Sequence, residues 1–285
     1  MALSSPVIIK DIRFRLNREG PSIDARIYTS KTALANPSHL NLAVVAHPYG
    51  PLGGSYDDAT VLLVVKTLLN ADYLVGTFNF CHPSWTLKPE LADFAAFSTF
   101  LMLYGSLLQE HPARTINFLA AGYSYGSLVA SQVLPASQLL VKQGEAGGFL
   151  LEQAAALASE QAEAPPGPAT TAKSLLSGIA LSTSYLLISP LLSPITNLVA
   201  PFNRRGRFLG RSGGKTQNHP ALAVFGTQDA LTSSRRLERW AIANEIEFEV
   251  LEGASHFWQD HRHRIQLADA VNKWLMSINL GNIGI

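Results

Sequence analysis

Asn117-Phe118-Leu119-Ala120-Ala121-Gly122-Tyr123-Ser124-Tyr125-Gly126-Ser127 decides how this chain is read. The uncharged run from Thr115 to Ala120 predicts a buried strand. It leads directly into Gly122-Tyr123-Ser124-Tyr125-Gly126, a complete G-x-S-x-G, and an apolar pattern of helical type follows from Leu128 to Leu134. With a strand before it and a helix after it, the motif has a mechanical meaning. The turn forces the serine into a strained conformation and lifts its hydroxyl above the sheet edge. Both glycines are required because a Cβ at either would collide with a neighbouring strand or helix. The backbone N–H of Tyr125 opens the helix and is free to donate to a developing oxyanion. Ser124 is therefore the candidate nucleophile, against the alternative of an ordinary turn serine.

Working outward, strands alternate with helices along the whole chain. Val7 to Phe14 and Ala25 to Tyr28 predict a hairpin turned at Asn17-Arg18-Glu19-Gly20-Pro21. Asn41 to Ala46 predicts a short strand ending in the loop His47-Pro48-Tyr49-Gly50-Pro51-Leu52-Gly53-Gly54, with a helix beginning near Ser55 or Asp57. Tyr73 to Phe80 is the next strand; Lys88-Pro89-Glu90-Leu91 opens a helix running to about Leu108, with Pro89 suited to its first turn. Further strands are expected at Ser184 to Ile188, Leu222 to Phe225 and Glu247 to Leu251. Thr232 or Ser233 should cap the helix between the last two, and an amphipathic helix closes the chain. The pattern implies an α/β fold, a mostly parallel sheet of about eight strands with helices on both faces, in one domain over 1–285. Two stretches depart from it. Residues 143–173 read as an insertion, with an exposed helix and a flexible proline-rich loop, and 189–218 as an irregular lid or loop.

Composition narrows the partners. The chain has 285 residues, of which 47% are hydrophobic and 15% charged, enough for a sizeable core. A net charge of +1 provides no field to steer nucleic acid, and the densest basic patch, Arg204-Arg205-Gly206-Arg207 with Arg211, reads as a solvated loop. The single cysteine, Cys81, rules out an internal disulfide. No apolar stretch precedes the charges at Lys10, Asp11, Arg13 and Arg15, so no secretory signal is expected, and a cytoplasmic location follows most simply. No uninterrupted apolar run reaches membrane-spanning length; Ser174 to Asn203, broken by Pro190, Pro194 and Pro201, reads as a buried strand and a lid-like segment. An exposed apolar patch there could serve a partner or a homodimer.

Serine-based chemistry needs a nucleophile, a base oriented by an acid, and oxyanion donors. Asp229 closes the Leu222–Phe225 strand, and His256 follows the last strand after Gly253-Ala254-Ser255, read as flexible. Asp229 could instead cap the helix after it, which does not exclude catalysis. Asp260 is better explained as a cap, and His261 and His263 as solvated positions on the last helix. No histidine pair has ligand spacing with a third convergent ligand, so no metal is expected, and no organic cofactor.

With Ser124, Asp229 and His256 in that order, and with the loop His47-Pro48-Tyr49-Gly50-Pro51-Leu52-Gly53-Gly54, the chain resembles an α/β-hydrolase. More narrowly, it is similar to small bacterial and fungal hydrolases with a His-Pro-x-x-x-x-Gly-Gly loop, distantly related to dienelactone hydrolases and prolyl-oligopeptidase-type peptidases. The resemblance covers nearly the whole chain except 143–173. It implies that the loop lines an oxyanion hole, with Tyr49 as donor beside Tyr125 because Pro48 has no N–H. The resemblance does not fix a substrate; the residues themselves read as a serine esterase or thioesterase acting on an apolar small molecule, with Tyr123, Trp85, His47 and Phe257 around a largely hydrophobic pocket. The alternatives keep the triad for acyl transfer, C–C cleavage or cyclisation, or keep only the scaffold in a binding protein. One departure stands out: Phe78-Asn79-Phe80 runs straight into Cys81-His82-Pro83-Ser84-Trp85, without the Arg-Gly and glycine-rich residues usual in the group. Cys81 reads as a packing residue, not a second nucleophile.

Overall fold

The computed structural model describes residues 6–36, 38–81, 84, 86–111, 113–142, 146–160, 171–192 and 219–281. Strand alternation builds its two cores. Leu40, Leu42, Val44 and Ala46 face one side of a sheet while Ala43 and Val45 face the other; Ile116, Phe118 and Ala120 divide from Leu119, Ala121 and Tyr123 in the same way. Both faces are apolar because both are covered, as a largely parallel sheet requires.

The strands are β1 (Val7–Arg15), β2 (Ser22–Ser30), β3 (His39–Ala46), β4 (Leu74–Phe78), β5 (Thr115–Tyr123), β6 (Ala180–Ile188), β7 (Ala221–Gln228) and β8 (Glu247–Ser255). They form one eight-stranded sheet in the order β1-β2-β4-β3-β5-β6-β7-β8. β1 and β2 pair antiparallel, as expected of the N-terminal hairpin, and so do β2 and β4; the remaining pairs are parallel. The described helices are α1 (Lys31–Leu34), α2 (Ala59–Asn70), α3 (Lys88–Leu107), α4 (Tyr125–Ala130), α5 (Ala136–Lys142), α6 (Ala146–Ser159), α7 (Ala172–Leu175), α8 (Ser234–Ala243) and α9 (His261–Gly281). Residues of α2 and α9 form the core on one face, and those of α3, α4, α5, α6 and α8 the core on the other. No helix among the described residues is long and apolar enough to cross a membrane.

Three local readings change. The helix expected from Ser55 or Asp57 starts at Ala59, because Asp58 accepts the N–H groups of Thr60 and Val61 at 2.8 and 3.3 Å and so fixes the start. The elbow helix starts at Tyr125, stops at Ala130, and resumes as α5 beyond Pro135. The helix expected to be exposed in 143–173 is packed: α6 buries Leu150, Leu151, Ala154 and Ala158 in the core it shares with α3. Its Gln153 also accepts the Arg15 N–H at 3.0 Å and donates to the Arg15 carbonyl at 2.9 Å, pairing the backbone of the last residue of the edge strand β1. The proline-rich part, 161–170, and the lid expected over 189–218 from residue 193 onward lie outside the described residues.

Candidate active site

The elbow is built by close backbone contact. Ser124 has φ 56° and ψ −115°, a strained conformation for a residue with a side chain. Its own N–H continues the sheet by donating to Ile188 O at 2.9 Å, so the strain sits at the last rung of the β5–β6 ladder. A Cβ on Gly122 would lie 2.2 Å from the Gly126 carbonyl group, and one on Gly126 would lie 2.3 Å from Ala46 O and 2.7 Å from His47 O. The second contact shows that the end of β3 rests on the first turn of α4. Gly126→Ala should therefore cost about 3 kcal/mol or more, because only backbone could yield. Thermal or denaturant unfolding measures it; a loss below about 1 kcal/mol would mean that the two segments can separate freely.

The structure brings Ser124, His256 and Asp229 together. Ser124 Oγ lies 2.8 Å from His256 Nε2, and His256 Nδ1 lies 2.7 Å from Asp229 Oδ2. Asp229 Oδ1 accepts the N–H groups of Leu231 and Thr232 at 2.8 and 3.0 Å in the turn after β7; the helix beyond starts at Ser234 with Ser233 as its N-cap, so Asp229 does not cap that helix. Burial pushes the Asp229 carboxyl up, but the hydrogen bond and charge of His256 and the two backbone donors outweigh it and leave the group below its ordinary value. An ionised carboxylate only accepts, so Nδ1 carries the His256 proton and Nε2 is left to accept from the serine hydroxyl.

A bulge places the histidine. β7 and β8 pair Gly226 with Leu251, but two residues later Gln228 pairs with Ser255, so β8 carries two extra residues over this interval. Gly253 takes up the kink at φ 75°, and its N–H donates to Thr227 Oγ1 at 2.9 Å. Gly253-Ala254-Ser255 is thus bulged strand, not the flexible loop expected. The shift sets Asp229 and His256 one residue beyond paired Gln228 and Ser255. Tyr123 and Trp258 hold the histidine in place. The Tyr123 hydroxyl donates to His256 O at 2.9 Å, and the Trp258 indole N–H donates to Ser189 Oγ at 3.1 Å. Ser189 (φ 45°) and Trp258 (φ 51°) share the left-handed strain of Ser124, so it recurs beyond β5, β6 and β8.

The pocket expectations divide. Phe257 is 58% exposed and sets its ring edge-on to His256, centroids 5.3 Å apart. Tyr123 is buried in the core beside α2 and α9 and supports the His256 backbone instead. Trp85 lies outside the described residues. His47 is only 3% exposed and ties loops together: its Nε2 accepts the Phe80 N–H at 3.0 Å, so Nδ1 carries the proton and donates to Pro48 O at 2.5 Å. Burial lowers its pKa from 6.5 to about 4. The unfolded chain therefore takes up this proton first, and stability falls as pH drops from 6.5 toward 4. The stability difference between wild type and His47→Gln should shrink by about 3 kcal/mol over that interval. Urea unfolding at each pH measures it, and a pH-independent difference would contradict the buried neutral imidazole.

Tyr49 and Tyr125 come together through their rings, with centroids 5.1 Å apart. Tyr125 is the first residue of α4, so its backbone N–H has no acceptor within the helix. Two residues to which the sequence reading gave no part in the site secure this region. Glu90 accepts from the Tyr125 hydroxyl at 2.6 Å and from the N–H and hydroxyl of Ser84, while Asp93 accepts the Cys81 N–H at 3.0 Å. Burial and then the Asp93 charge raise the Cys81 thiol, the direction opposite to an activated thiolate.

No protein-family model matches the chain, and no curated protein matches it by sequence. Solved structures do resemble it. A proposed alpha/beta hydrolase of unknown function from Agrobacterium tumefaciens is 16% identical, with 95% of this chain and 97% of that one covered and a TM-score of 0.60. An alpha-beta serine hydrolase homologue from Coxiella burnetii is 16% identical over 93% and 96%, with a TM-score of 0.56. The Pyrococcus furiosus esterase Pf2001 is 15% identical over 96% and 93%, with a TM-score of 0.54. The fold is that of the α/β-hydrolases. In this hydrolase fold Ser124, Asp229 and His256 all lie just beyond the C-terminal ends of parallel strands, where open α/β sheets place their sites.

Proposed function

We propose that the chain is a serine hydrolase that cleaves a carboxylic ester or thioester of an apolar small molecule through an acyl-enzyme on Ser124. The observation that carries this reading is the buried hydrogen-bond chain from Ser124 Oγ to His256 to Asp229, at 2.8 and 2.7 Å, on a serine held at φ 56°. Ser124 Oγ attacks the acyl carbon as His256 Nε2 takes its proton; the carbonyl oxygen becomes an oxyanion. The backbone N–H groups of Tyr49 and Tyr125 receive that charge. Collapse breaks the bond to the leaving oxygen or sulfur, which takes the proton from His256. Water, deprotonated by the same nitrogen, then attacks the acyl-enzyme and releases the acid. Asp229 keeps the imidazole in the required tautomer throughout.

Two features favour an apolar acyl group. Phe257 is exposed beside His256, and Leu52, 85% exposed, projects from the loop that carries Tyr49. The esterase named above shares the fold and lends the ester reading further support. The test uses p-nitrophenyl esters and matching thioesters of increasing chain length, with intact-mass detection of the protein during turnover. The expected results are release of free acid, a rate that rises with acyl length, and a mass increase equal to one acyl group. An acyl group recovered on an added alcohol or amine in preference to water would make the protein a transferase. No turnover and no adduct with any ester would overturn the reading.

A further inference from the structure

Glu90 is 0% exposed, although its type is almost never fully buried without partners. It lies in the first turn of α3, where the helix N-terminus favours a negative charge. Its Oε1 accepts the Tyr125 hydroxyl at 2.6 Å and the Ser84 N–H, and its Oε2 accepts the Ser84 hydroxyl at 2.7 Å. One carboxylate therefore grips both the loop after β4 and the residue next to Ser124.

Tyr125 stands between the segments that matter for the oxyanion. Its backbone N–H opens α4 beside Ser124, while its ring lies 5.1 Å from the Tyr49 ring and 6.0 Å, edge-on, from Phe80. His47 ties the loop that carries Tyr49 to Phe80, through Pro48 O and the Phe80 N–H. The phenol oxygen lies on the axis of the ring's own rotation, so its bond to Glu90 fixes where the ring sits and not its turn about that axis, and the Tyr49 ring packs against a wall of fixed position. We propose that Glu90, acting through the Tyr125 phenol, is the positioning residue that sets the distance between the Tyr49 and Tyr125 backbone donors. This rests on the assignment of Ser124 as nucleophile and of those two N–H groups as its oxyanion hole. Without the carboxylate the phenol is buried and unpaired, the ring shifts to find a partner, and the Tyr49 loop follows it. The donors then meet the ground-state carbonyl almost as before but miss the oxyanion, so the loss falls on kcat.

The experiment compares wild type with Tyr125→Phe, Glu90→Gln, Glu90→Ala and Glu90→Ala/Tyr125→Phe in the full chain. It measures kcat and KM for an ester and inhibition by a trifluoromethyl ketone, whose serine adduct carries an oxyanion. Tyr125→Phe should lower kcat by about tenfold or more, leave KM within about twofold, and weaken the ketone by the factor lost in kcat. Glu90→Gln should retain most of kcat, because its carbonyl still accepts from Tyr125 and its amide donates to the Ser84 hydroxyl. Glu90→Ala should match Tyr125→Phe, and the double variant should be no worse than either alone, since both remove one link. Should Glu90→Ala fail to fold, Tyr125→Phe and Glu90→Gln decide the matter. An unchanged kcat in Tyr125→Phe, or a loss confined to KM, would overturn the proposal while fluorophosphonate labelling of Ser124 still upheld the nucleophile. A folded wild type that is not labelled at Ser124 would instead remove the reading beneath it.

Discussion

Ser124→Ala should lower ester turnover by on the order of 10⁵-fold in kcat and leave the fold intact. The hydroxyl removed is the group that forms the acyl-enzyme, so no partial route through the same intermediate remains. The structural cost is small. Alanine keeps the Cβ already accommodated at φ 56°, and the backbone bond from Ser124 N–H to Ile188 O is untouched. What disappears is one hydroxyl bonded to His256, so stability should change by less than about 1 kcal/mol. A fluorophosphonate probe should label the wild-type protein at Ser124, shown by mapping the modified peptide, and leave the folded variant unlabelled. Equal turnover by the two proteins would end the serine mechanism. Labelling at another residue would move the nucleophile elsewhere in the fold.

The catalytic candidates were legible because each one follows a strand. The run ending at Ala120, the run ending at Phe225 and the run ending at Leu251 each stop at a marked turn, and Ser124, Asp229 and His256 are the chemically able residues just beyond them. Parallel strands bring such positions to one edge whatever the helices between them do. The bulge was not legible, because Gly253 signals a turn and a bulged strand with the same letter; only pairing with β7 separates them. The fate of α6 was hidden for a similar reason. The piece from Glu152 to Glu163 is rich in Ala, Glu and Gln, a composition compatible with exposure, and the deciding contacts are with α3 and β1, far away in sequence.

Glu90 and His47 show the harder limit. A glutamate after a proline at a helix start reads as first-turn charge and normally faces water. A histidine at the head of a catalytic loop invites a chemical role. Burial changes what each can do: Glu90 becomes an anchor for Ser84 and Tyr125, and His47 a neutral brace between Pro48 and Phe80. Together with Asp93, these groups hold Phe80, Cys81 and Ser84, the described residues after β4, by hydrogen bonds.

Asp229→Asn should lower kcat by about 10⁴-fold, and the reason lies in the two backbone donors that face it. Leu231 and Thr232 both present N–H groups to Oδ1, so an asparagine must place its carbonyl oxygen there. Its NH2 then takes the place of Oδ2 and points a donor at His256 Nδ1. The imidazole answers by accepting at Nδ1 and carrying its proton on Nε2, so Nε2 faces the Ser124 hydroxyl with a hydrogen and has no lone pair to take another. The geometry survives and the base is lost. KM should change little, because no substrate contact is altered. Acid stability should respond as well. The native carboxyl lies below its ordinary value, so it stabilises the fold above the unfolded-state pKa and loses that contribution as pH falls through the lowered one. Asparagine has no such proton to gain, and the variant's unfolding midpoint should fall less steeply across that acid range. Wild-type kcat in Asp229→Asn would show that the histidine is oriented by another group; a lost kcat with an unchanged acid slope would show that the carboxylate orients the base without contributing charge-dependent stability.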